Sequence, residues 1–119
     1  MTDSITVWFH SSCSKCRALQ GLLEERGREF EARYYLDSPP DKDEIEELLA
    51  LLGMSDPIEL MRKKETAFAL LAIEDMDREA RMEALSSHPE LLERPILVWG
   101  DKALVARPPE KALELFAGP

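Results

Sequence analysis

The feature that most constrains this 119-residue chain is a change of periodicity at a cysteine pair near its start. Residues 5–9 (Ile-Thr-Val-Trp-Phe) form a β-prone run that predicts a buried strand. From Cys13 onward the apolar residues recur at helical spacing as far as Gly27, where a helix commonly ends. Residues 30–36 then predict a second strand. Strand, helix and strand at this spacing form a βαβ unit, in which the two strands lie parallel with a right-handed crossover.

The middle of the chain, residues 41–92, is predicted to be almost entirely helical. Asp41 followed by Glu44 has the form of a capping signal, and Asp77 stands where it can cap a later helix. This stretch is therefore expected to be a helical insert between the βαβ unit and the strands that follow.

The last third of the chain predicts a β-hairpin and a closing helix. Residues 95–99 return to strand character, Gly100-Asp101 is a two-residue turn signal, and residues 102–106 are a plausible antiparallel partner. The order βαβ, helical insert, ββα predicts an α/β protein with a mixed four-stranded sheet and a thioredoxin-like fold. We expect a single domain over residues 1–119, with the insert at about 41–92.

Charge and hydropathy exclude several classes of function. The chain has 15 Lys and Arg against 24 Asp and Glu, a net charge of −9, and such a surface repels nucleic-acid phosphates. The longest run without a charged residue, residues 4–14, is too short to span a membrane. The first four residues lack the basic region of a signal peptide, so we expect a cytoplasmic protein that binds neither membranes nor nucleic acid directly.

The segment Cys13-Ser14-Lys15-Cys16 lies at the predicted turn from strand to helix. A helix N-terminus carries unpaired N–H groups and the positive end of the helix dipole, so a thiolate there is stabilised. Lys15 and Arg17 add positive charge nearby. Cys16 lies one turn further on, within reach of a disulfide with Cys13 if the geometry permits. These features favour a nucleophilic or redox-active Cys13.

The cysteine pair has two alternative interpretations, and His10 has two possible roles. The cysteines could be ordinary small core residues, although their place at a turn argues against it. They could be half of a zinc site, but zinc needs about four ligands and the chain has only two histidines and no second cysteine pair, so no metal is predicted. His10 could polarise the Cys13 thiolate or could simply end the strand through a backbone hydrogen bond, and the sequence alone leaves both roles open.

Three arginines are the second signal. Arg94 directly precedes Pro95 before a predicted strand, Arg107 directly precedes Pro108 after the next strand, and Arg62 lies in the helical middle. Any one of them taken alone is more often a solvated surface residue than an anion ligand.

Taken together, these residues resemble the thioredoxin-fold arsenate reductases of the glutaredoxin-coupled type (the ArsC family) and their relatives, the Spx-type regulators. The resemblance covers nearly the whole chain. Its anchors are HSSC at 10–13, LDSPP at 36–40, LMRK at 60–63, HPELLERPI at 88–96 and RP at 107–108.

The resemblance implies a role for each candidate residue. A cysteine at the Cys13 position attacks arsenate, and a histidine at the His10 position lowers the pKa of that cysteine. Pro95 falls where such folds commonly carry a cis-proline facing the active cysteine. Three arginines are implied to hold the oxyanion and the arsenic adduct, and we expect them to converge on Cys13 without acidic partners: Arg62, Arg94 and Arg107.

Two positions depart from the reductase pattern. The usual Asn-Pro between the histidine and the cysteine is Ser11-Ser12 here. Reductases of this type usually lack a cysteine at the Cys16 position and rely on glutathione and glutaredoxin, whereas Spx-type regulators carry the cysteine pair as a redox switch and bind RNA polymerase. Arg107 favours the reductase, because Spx-type proteins generally lack it.

The sequence therefore predicts an arsenate-reductase-like thiol oxidoreductase. Cys13 is the nucleophile, Cys16 is a candidate resolving thiol, and no cofactor is bound. Its expected partners are a small oxyanion such as arsenate and an external reductant, either glutathione with glutaredoxin or thioredoxin. The alternatives are a Spx-type redox-sensing partner of RNA polymerase and a general thiol-disulfide oxidoreductase.

Overall fold

The structure, a computed structural model, describes residues 4–116. The first residues, on which the expectation of no signal peptide rests, lie outside the described residues. The described chain divides into two compact units. A sheet unit comprises residues up to 35 and from 94 onward, and a helical unit comprises residues 36–93. The expectation that the chain is one domain with an insert stays a prediction.

The sheet unit begins with the predicted βαβ arrangement. Strand β1 (Ile5–Trp8) is followed by helix α1 (Ser14–Glu25) and strand β2 (Glu31–Arg33), and the two strands pair in parallel. The predicted second strand, residues 30–36, was too long. Strand β2 lies at the sheet edge and pairs only with β1, so its pairing ends where β1 ends, and Tyr35 already lies in a turn.

The predicted hairpin completes the sheet. Strands β3 (Ile96–Trp99) and β4 (Lys102–Val105) pair antiparallel, and β3 also pairs antiparallel with β1. The strand order is β2-β1-β3-β4, so the mixed four-stranded sheet and the thioredoxin-like fold class are confirmed. A short 3-10 turn (Pro109–Ala112) leads into helix α5 (Leu113–Phe116).

The core of the sheet unit joins one face of the sheet to α1 and the C-terminal segment. Cys16 belongs to this core, on the same side of α1 as its two buried leucines. The buried members are Ile5, Val7, Phe9, Cys16, Leu19, Leu23, Leu97, Ala106 and Ala112.

The helical unit contains three α-helices joined by short 3-10 turns. The α-helices are α2 (Lys42–Leu52), α3 (Thr66–Leu70) and α4 (Arg78–Ser87), and the turns are Pro57–Leu60, Ile73–Asp75 and Pro89–Leu91. Among residues 4–116, no helix is long and apolar enough to cross a membrane.

The predicted capping signal at Asp41 is a complete capping box. The Asp41 carboxylate accepts a hydrogen bond from the Glu44 N–H at 2.8 Å, and the Glu44 carboxylate accepts one from the Asp41 N–H at 3.4 Å. Gly53 ends the helix in the left-handed conformation, with a φ of 72°, which glycine adopts at little cost.

We expect Asp41→Ala to lower the free energy of unfolding by about 1 kcal/mol, because it removes the acceptor for a helix N–H. Asp43→Ala is the matched control, since Asp43 lies in the same first turn and is not the capping residue. Urea denaturation of both variants measures the difference. Equal losses of stability would show that the cap contributes nothing beyond a charge near the helix N-terminus.

Candidate active site

One end of the sheet collects three of the residues that the sequence singled out, together with one that it did not. The registers pair Trp8 with Arg33 in parallel, Trp8 with Ile96 in antiparallel, and Ile96 with Val105 in antiparallel. Continued two residues beyond these pairs, the same registers give one row, which we call the end row. Its members are Tyr35, His10, Arg94 and Arg107.

Backbone hydrogen bonds support this continuation beyond the strand ends. The Phe9 N–H donates to the Arg33 carbonyl at 2.8 Å, and the Ala106 N–H donates to the Pro95 carbonyl at 2.8 Å. The peptide bond between Arg94 and Pro95 is cis. The two hydrogen bonds carry the chain pairing one residue past the strand ends, and the end row lies directly beyond them.

Cys13 follows His10 of the end row by three positions and immediately precedes α1. Its N–H donates to the His10 carbonyl at 3.0 Å, and this bond turns the chain from strand to helix. Its backbone is extended, with φ −86° and ψ 120°, as is typical of a helix N-cap. The neutral thiol forms no cap hydrogen bond, but it faces the N–H groups that a thiolate would accept from, those of Lys15 and Cys16.

The surroundings of Cys13 favour its thiolate. Partial burial opposes ionisation of the thiol. The Cys16 N–H, the Arg94 guanidinium, the Cys16 thiol and the Lys15 N–H together outweigh that penalty, and the pKa of Cys13 falls below its ordinary value. Cys13 is also partly exposed, so a reactant can reach its sulfur.

Cys16 is the opposite kind of thiol. It is fully buried in the core, and burial together with the neighbouring Cys13 thiolate raises the pKa of Cys16 to about 12, despite a backbone hydrogen bond from His10. Both cysteines are free, and their side chains lie within hydrogen-bonding reach of each other. A partly exposed thiol with a lowered pKa is suited to act as the nucleophile, and a buried, protonated thiol beside it is suited to act as the second thiol.

Within the sheet unit, the structure brings Arg94 and Arg107 together. The Arg94 guanidinium approaches the Cys13 thiol and the Tyr35 hydroxyl. Arg107 is exposed, and its Nη1 donates to the Arg94 carbonyl at 3.3 Å. Among residues 4–116, neither of these arginines forms an ion pair with a carboxylate.

Arg62 lies in the helical unit, where Leu91 and Glu65 hold it. Its N–H donates to the Leu91 carbonyl at 2.7 Å, and its Nη1 forms an ion pair with Glu65 at 3.1 Å. The expectation that all three arginines would lack acidic partners is therefore wrong for Arg62. Two residues separate Arg62 from Glu65, and the turn of chain between them brings their side chains together.

The backbone of His10 forms hydrogen bonds to both cysteines. Its carbonyl accepts from the Cys13 N–H, and its backbone also bonds the Cys16 side chain. The His10 imidazole is not among the groups with the largest effect on the pKa of Cys13. A role for the imidazole in activating Cys13 stays a prediction.

Sequence reasoning missed Tyr35, which it assigned to the interior of a strand. Tyr35 is buried, its ring stacks against Trp8, and its hydroxyl lies beside Arg94. The register between β1 and β2 was the signal that would have found it, since two residues beyond their last pair it puts Tyr35 next to His10.

The described residues form a cavity but no metal-binding cluster. Among residues 4–116, no three His, Cys, Asp or Glu side chains are grouped so that they could hold a metal ion. A shallow cavity of about 710 Å³ opens in the sheet unit, and Phe9, Arg28, Phe30 and Tyr34 contribute to its lining. Neither cysteine lines it.

The fold and the paired thiols define a class of protein, the thiol-dependent oxidoreductases built on a thioredoxin-like sheet. A model of the ArsC family matches residues 9–115. This chain belongs to the ArsC family, as the sequence resemblance implied.

Its relatives agree in sequence and in structure. It is 40% identical over 117 residues to the uncharacterized protein YfgD of Escherichia coli K12, covering 97% of this chain and 98% of that protein. It is 40% identical over 108 residues to an arsenate reductase of Neisseria meningitidis, covering 89% and 92%. The solved structure of an arsenate reductase from Vibrio cholerae superimposes with a TM-score of 0.91 at 34% identity, covering 96% and 98%.

These relatives confirm the predicted enzyme class, a thiol-dependent oxidoreductase of the arsenate reductase type. The activity of this chain and the roles of its residues remain proposals.

We expect iodoacetamide to label Cys13 before Cys16, with a midpoint on the pH axis below that of a free thiol. The lowered pKa of Cys13 places its thiolate at lower pH, whereas the buried Cys16 stays protonated. Arg94→Ala should move the midpoint to higher pH, because it removes a positive charge from the thiolate. Peptide mass spectrometry of samples alkylated at a series of pH values identifies the labelled cysteine and measures the extent of labelling at each pH.

Arg17→Ala is the matched control for this measurement, since Arg17 is exposed on the first turn of α1. Its midpoint should move less than that of Arg94→Ala, because Arg94 and not Arg17 is among the groups that lower the pKa of Cys13. Preferential labelling of Cys16, or equal shifts in the two variants, would contradict the assigned geometry.

Proposed function

We propose that this protein is an arsenate reductase in which the Cys13 thiolate attacks the oxyanion. The observation that carries this proposal is the Cys13 thiol, which faces the N–H groups of α1 with the Arg94 guanidinium beside it. Backbone N–H groups and a guanidinium fork are the donors that bind a tetrahedral oxyanion, and a thiolate is the nucleophile that its reduction needs.

Binding comes first in the proposed reaction. Arg94 supplies a positive charge at the thiolate, and Arg107 lies beside it through the bond to the Arg94 carbonyl. The chain as a whole carries a net charge of −9, so arsenate is attracted by local donors and not by the overall charge. Arg62 remains a candidate third ligand, and binding through it would need the Glu65 ion pair to open or be shared.

The chemical step joins sulfur to arsenic. The Cys13 thiolate attacks arsenic(V), one arsenate oxygen leaves as water after protonation, and a Cys13 sulfur–arsenic bond forms. A second thiol then attacks the Cys13 sulfur. The Cys13 sulfur–arsenic bond then breaks, and its two electrons pass to arsenic. Arsenite leaves, and a disulfide forms between Cys13 and the second thiol. In total, one arsenate and two thiols give one arsenite, one disulfide and one water.

We propose Cys16 as the second thiol. Its side chain already contacts Cys13, so forming the disulfide needs little movement of the chain. Its proton is held partly by the adjacent Cys13 thiolate, and that influence disappears once the Cys13 sulfur is bound to arsenic. Burial still disfavours the Cys16 thiolate, so deprotonation of Cys16 is the expected slow part of this step.

An intramolecular disulfide also points to the reductant. A dithiol protein such as thioredoxin reduces a Cys13–Cys16 bridge by exchange, whereas a glutathione adduct on Cys13 would call for glutaredoxin. We therefore propose thioredoxin as the external reductant.

A redox switch is the second candidate function, and one observation favours it. Two free thiols in contact, one exposed and one buried, are also what a sensor needs in order to close a reversible disulfide. Under this alternative the bridge forms with an oxidant and without arsenate, and the partner is RNA polymerase.

We expect one equivalent of arsenate to convert reduced protein, without any added thiol, into arsenite and a Cys13–Cys16 disulfide. Cys16→Ser should stop at the Cys13 adduct and release arsenite only when glutathione is added. Non-reducing peptide mapping and arsenite quantification follow both products. Ser14→Ala is the matched control, because Ser14 lies between the two cysteines and carries no thiol.

Arsenite release by Cys16→Ser without added thiol would contradict the resolving role of Cys16. A disulfide that forms with peroxide but never with arsenate would contradict the reductase and favour the switch.

A further inference from the structure

Tyr35 is a buried side chain with a polar hydroxyl near Cys13, and the proposed reaction gives it no role. It is 0% exposed, and its ring stacks on that of Trp8, with centroids 6.4 Å apart and planes 29° apart. In the end row Tyr35 is the neighbour of His10, whose other neighbour is Arg94. The aromatic contact fixes the ring and thereby the position of the hydroxyl.

Two buried hydrogen-bonding groups lie together here without acceptors. The Tyr35 hydroxyl and the Nε of Arg94 are both buried, and neither has a hydrogen-bond partner. The guanidinium lies beside the phenol without an aligned hydrogen bond, and both groups are donors toward an anion. A buried polar group left unpaired is costly, so such groups call for a partner.

The missing partner is an acceptor with more than one lone pair. A carboxylate of this chain does not supply it, since Arg94 forms no ion pair among residues 4–116. Burial raises the pKa of Tyr35 to about 12, so the phenol keeps its proton and remains a donor at neutral pH. An oxyanion held at Cys13 and Arg94 would satisfy both groups at once.

We propose that the Tyr35 hydroxyl donates a hydrogen bond to the oxyanion bound at Cys13 and Arg94. The inference rests on the proposed function and adds a binding residue that the family resemblance did not assign. A neutral donor on a rigid ring adds no charge to the site, so it binds the anion without competing with the thiolate for Arg94. Hydrogen bonds to a charged acceptor are stronger than those to a neutral one, so the hydroxyl favours arsenate over uncharged arsenous acid.

A purely structural role would act through the position of Arg94, and the two roles differ in what they change. Tyr35→Phe removes the hydroxyl and keeps the ring on Trp8. Losing an unpaired buried hydroxyl should leave stability equal or higher, because the partner is absent without the anion. It should also leave the pH midpoint of Cys13 alkylation in place, because Arg94 keeps its position beside the thiol.

The matched control is Tyr34→Phe, which removes the same hydroxyl from the adjacent residue. Tyr34 is 49% exposed, and its ring meets that of Phe9 edge-on. Both variants lose one oxygen atom at consecutive positions, so differences between them report the location of the hydroxyl.

The experiment measures how arsenate protects Cys13 from iodoacetamide in the full chain without added reductant. Cys16→Ser is present in every chain compared, so that no Cys13–Cys16 disulfide can form, and the chain with Cys16→Ser alone serves as the unaltered chain. We expect Tyr35→Phe to weaken apparent arsenate binding about tenfold or more. Tyr34→Phe should bind like the unaltered chain. Urea midpoints and alkylation pH profiles of both variants should match the unaltered chain or, for the urea midpoint of Tyr35→Phe, lie higher.

Three results would overturn the inference. If Tyr35→Phe binds arsenate as Tyr34→Phe does, the hydroxyl does not touch the anion. If its binding loss comes with a shifted alkylation midpoint or lower stability, Tyr35 acts through Arg94 or the fold. If arsenate fails to protect the unaltered chain at any concentration, the proposed function itself fails and this inference falls with it.

Discussion

The hydrogen bond from the Cys13 N–H to the His10 carbonyl is the constraint on which the site depends. It ends the inner strand and starts α1 within three residues, and it leaves the Cys13 side chain facing the first N–H groups of the helix. Without that turn the thiol would lose both the helix N-terminus and its place beside the end row. The sheet then adds Arg94, because β3, which pairs antiparallel with β1, begins two residues after it at Ile96, opposite Trp8.

The same arrangement separates two chemically identical side chains. Cys13 is partly exposed and surrounded by donors, whereas Cys16 faces the core one helical turn away. Each thiol also acts on the other, since the Cys16 thiol stabilises the Cys13 thiolate and that thiolate disfavours a second charge. The outcome is one nucleophile and one protonated thiol in contact, which suits both an arsenate reductase and a redox switch.

Local signals in the sequence were enough for the sheet and most helix ends. The capping box at Asp41, the hairpin turn at Gly100 and the switch from strand to helix at Cys13 depend on residues a few positions apart. The strand β2 was predicted too long because its end is set by pairing with β1, and its own aromatic residues carry no trace of that limit. The nearly continuous helix predicted over residues 41–92 is likewise divided, since α3 ends at Leu70 and a separate 3-10 turn begins at Ile73.

Less of the candidate site than of the fold could be predicted from the sequence. The spacing of the cysteines predicted their thiol chemistry, but Arg62 alone gave no sign that Glu65 would bind it. Tyr35 was not predicted because Arg94, beside which its hydroxyl lies, is 59 positions away in sequence (94 − 35 = 59), and pairing between strands brings the two together. The first case depends on the local turn that brings Glu65 to Arg62, and the second depends on long-range strand pairing, which periodicity does not encode.

The most direct test of the central claim is a crystal structure of the reduced Cys16→Ser variant, in which the reaction stops at the Cys13 adduct, soaked with arsenate. The account predicts arsenic density at the Cys13 sulfur, with an arsenate oxygen within hydrogen-bonding distance of the Arg94 guanidinium. Arsenate bound away from Cys13, or an Arg94 guanidinium turned to a carboxylate with the Cys13 sulfur unoccupied, would contradict it.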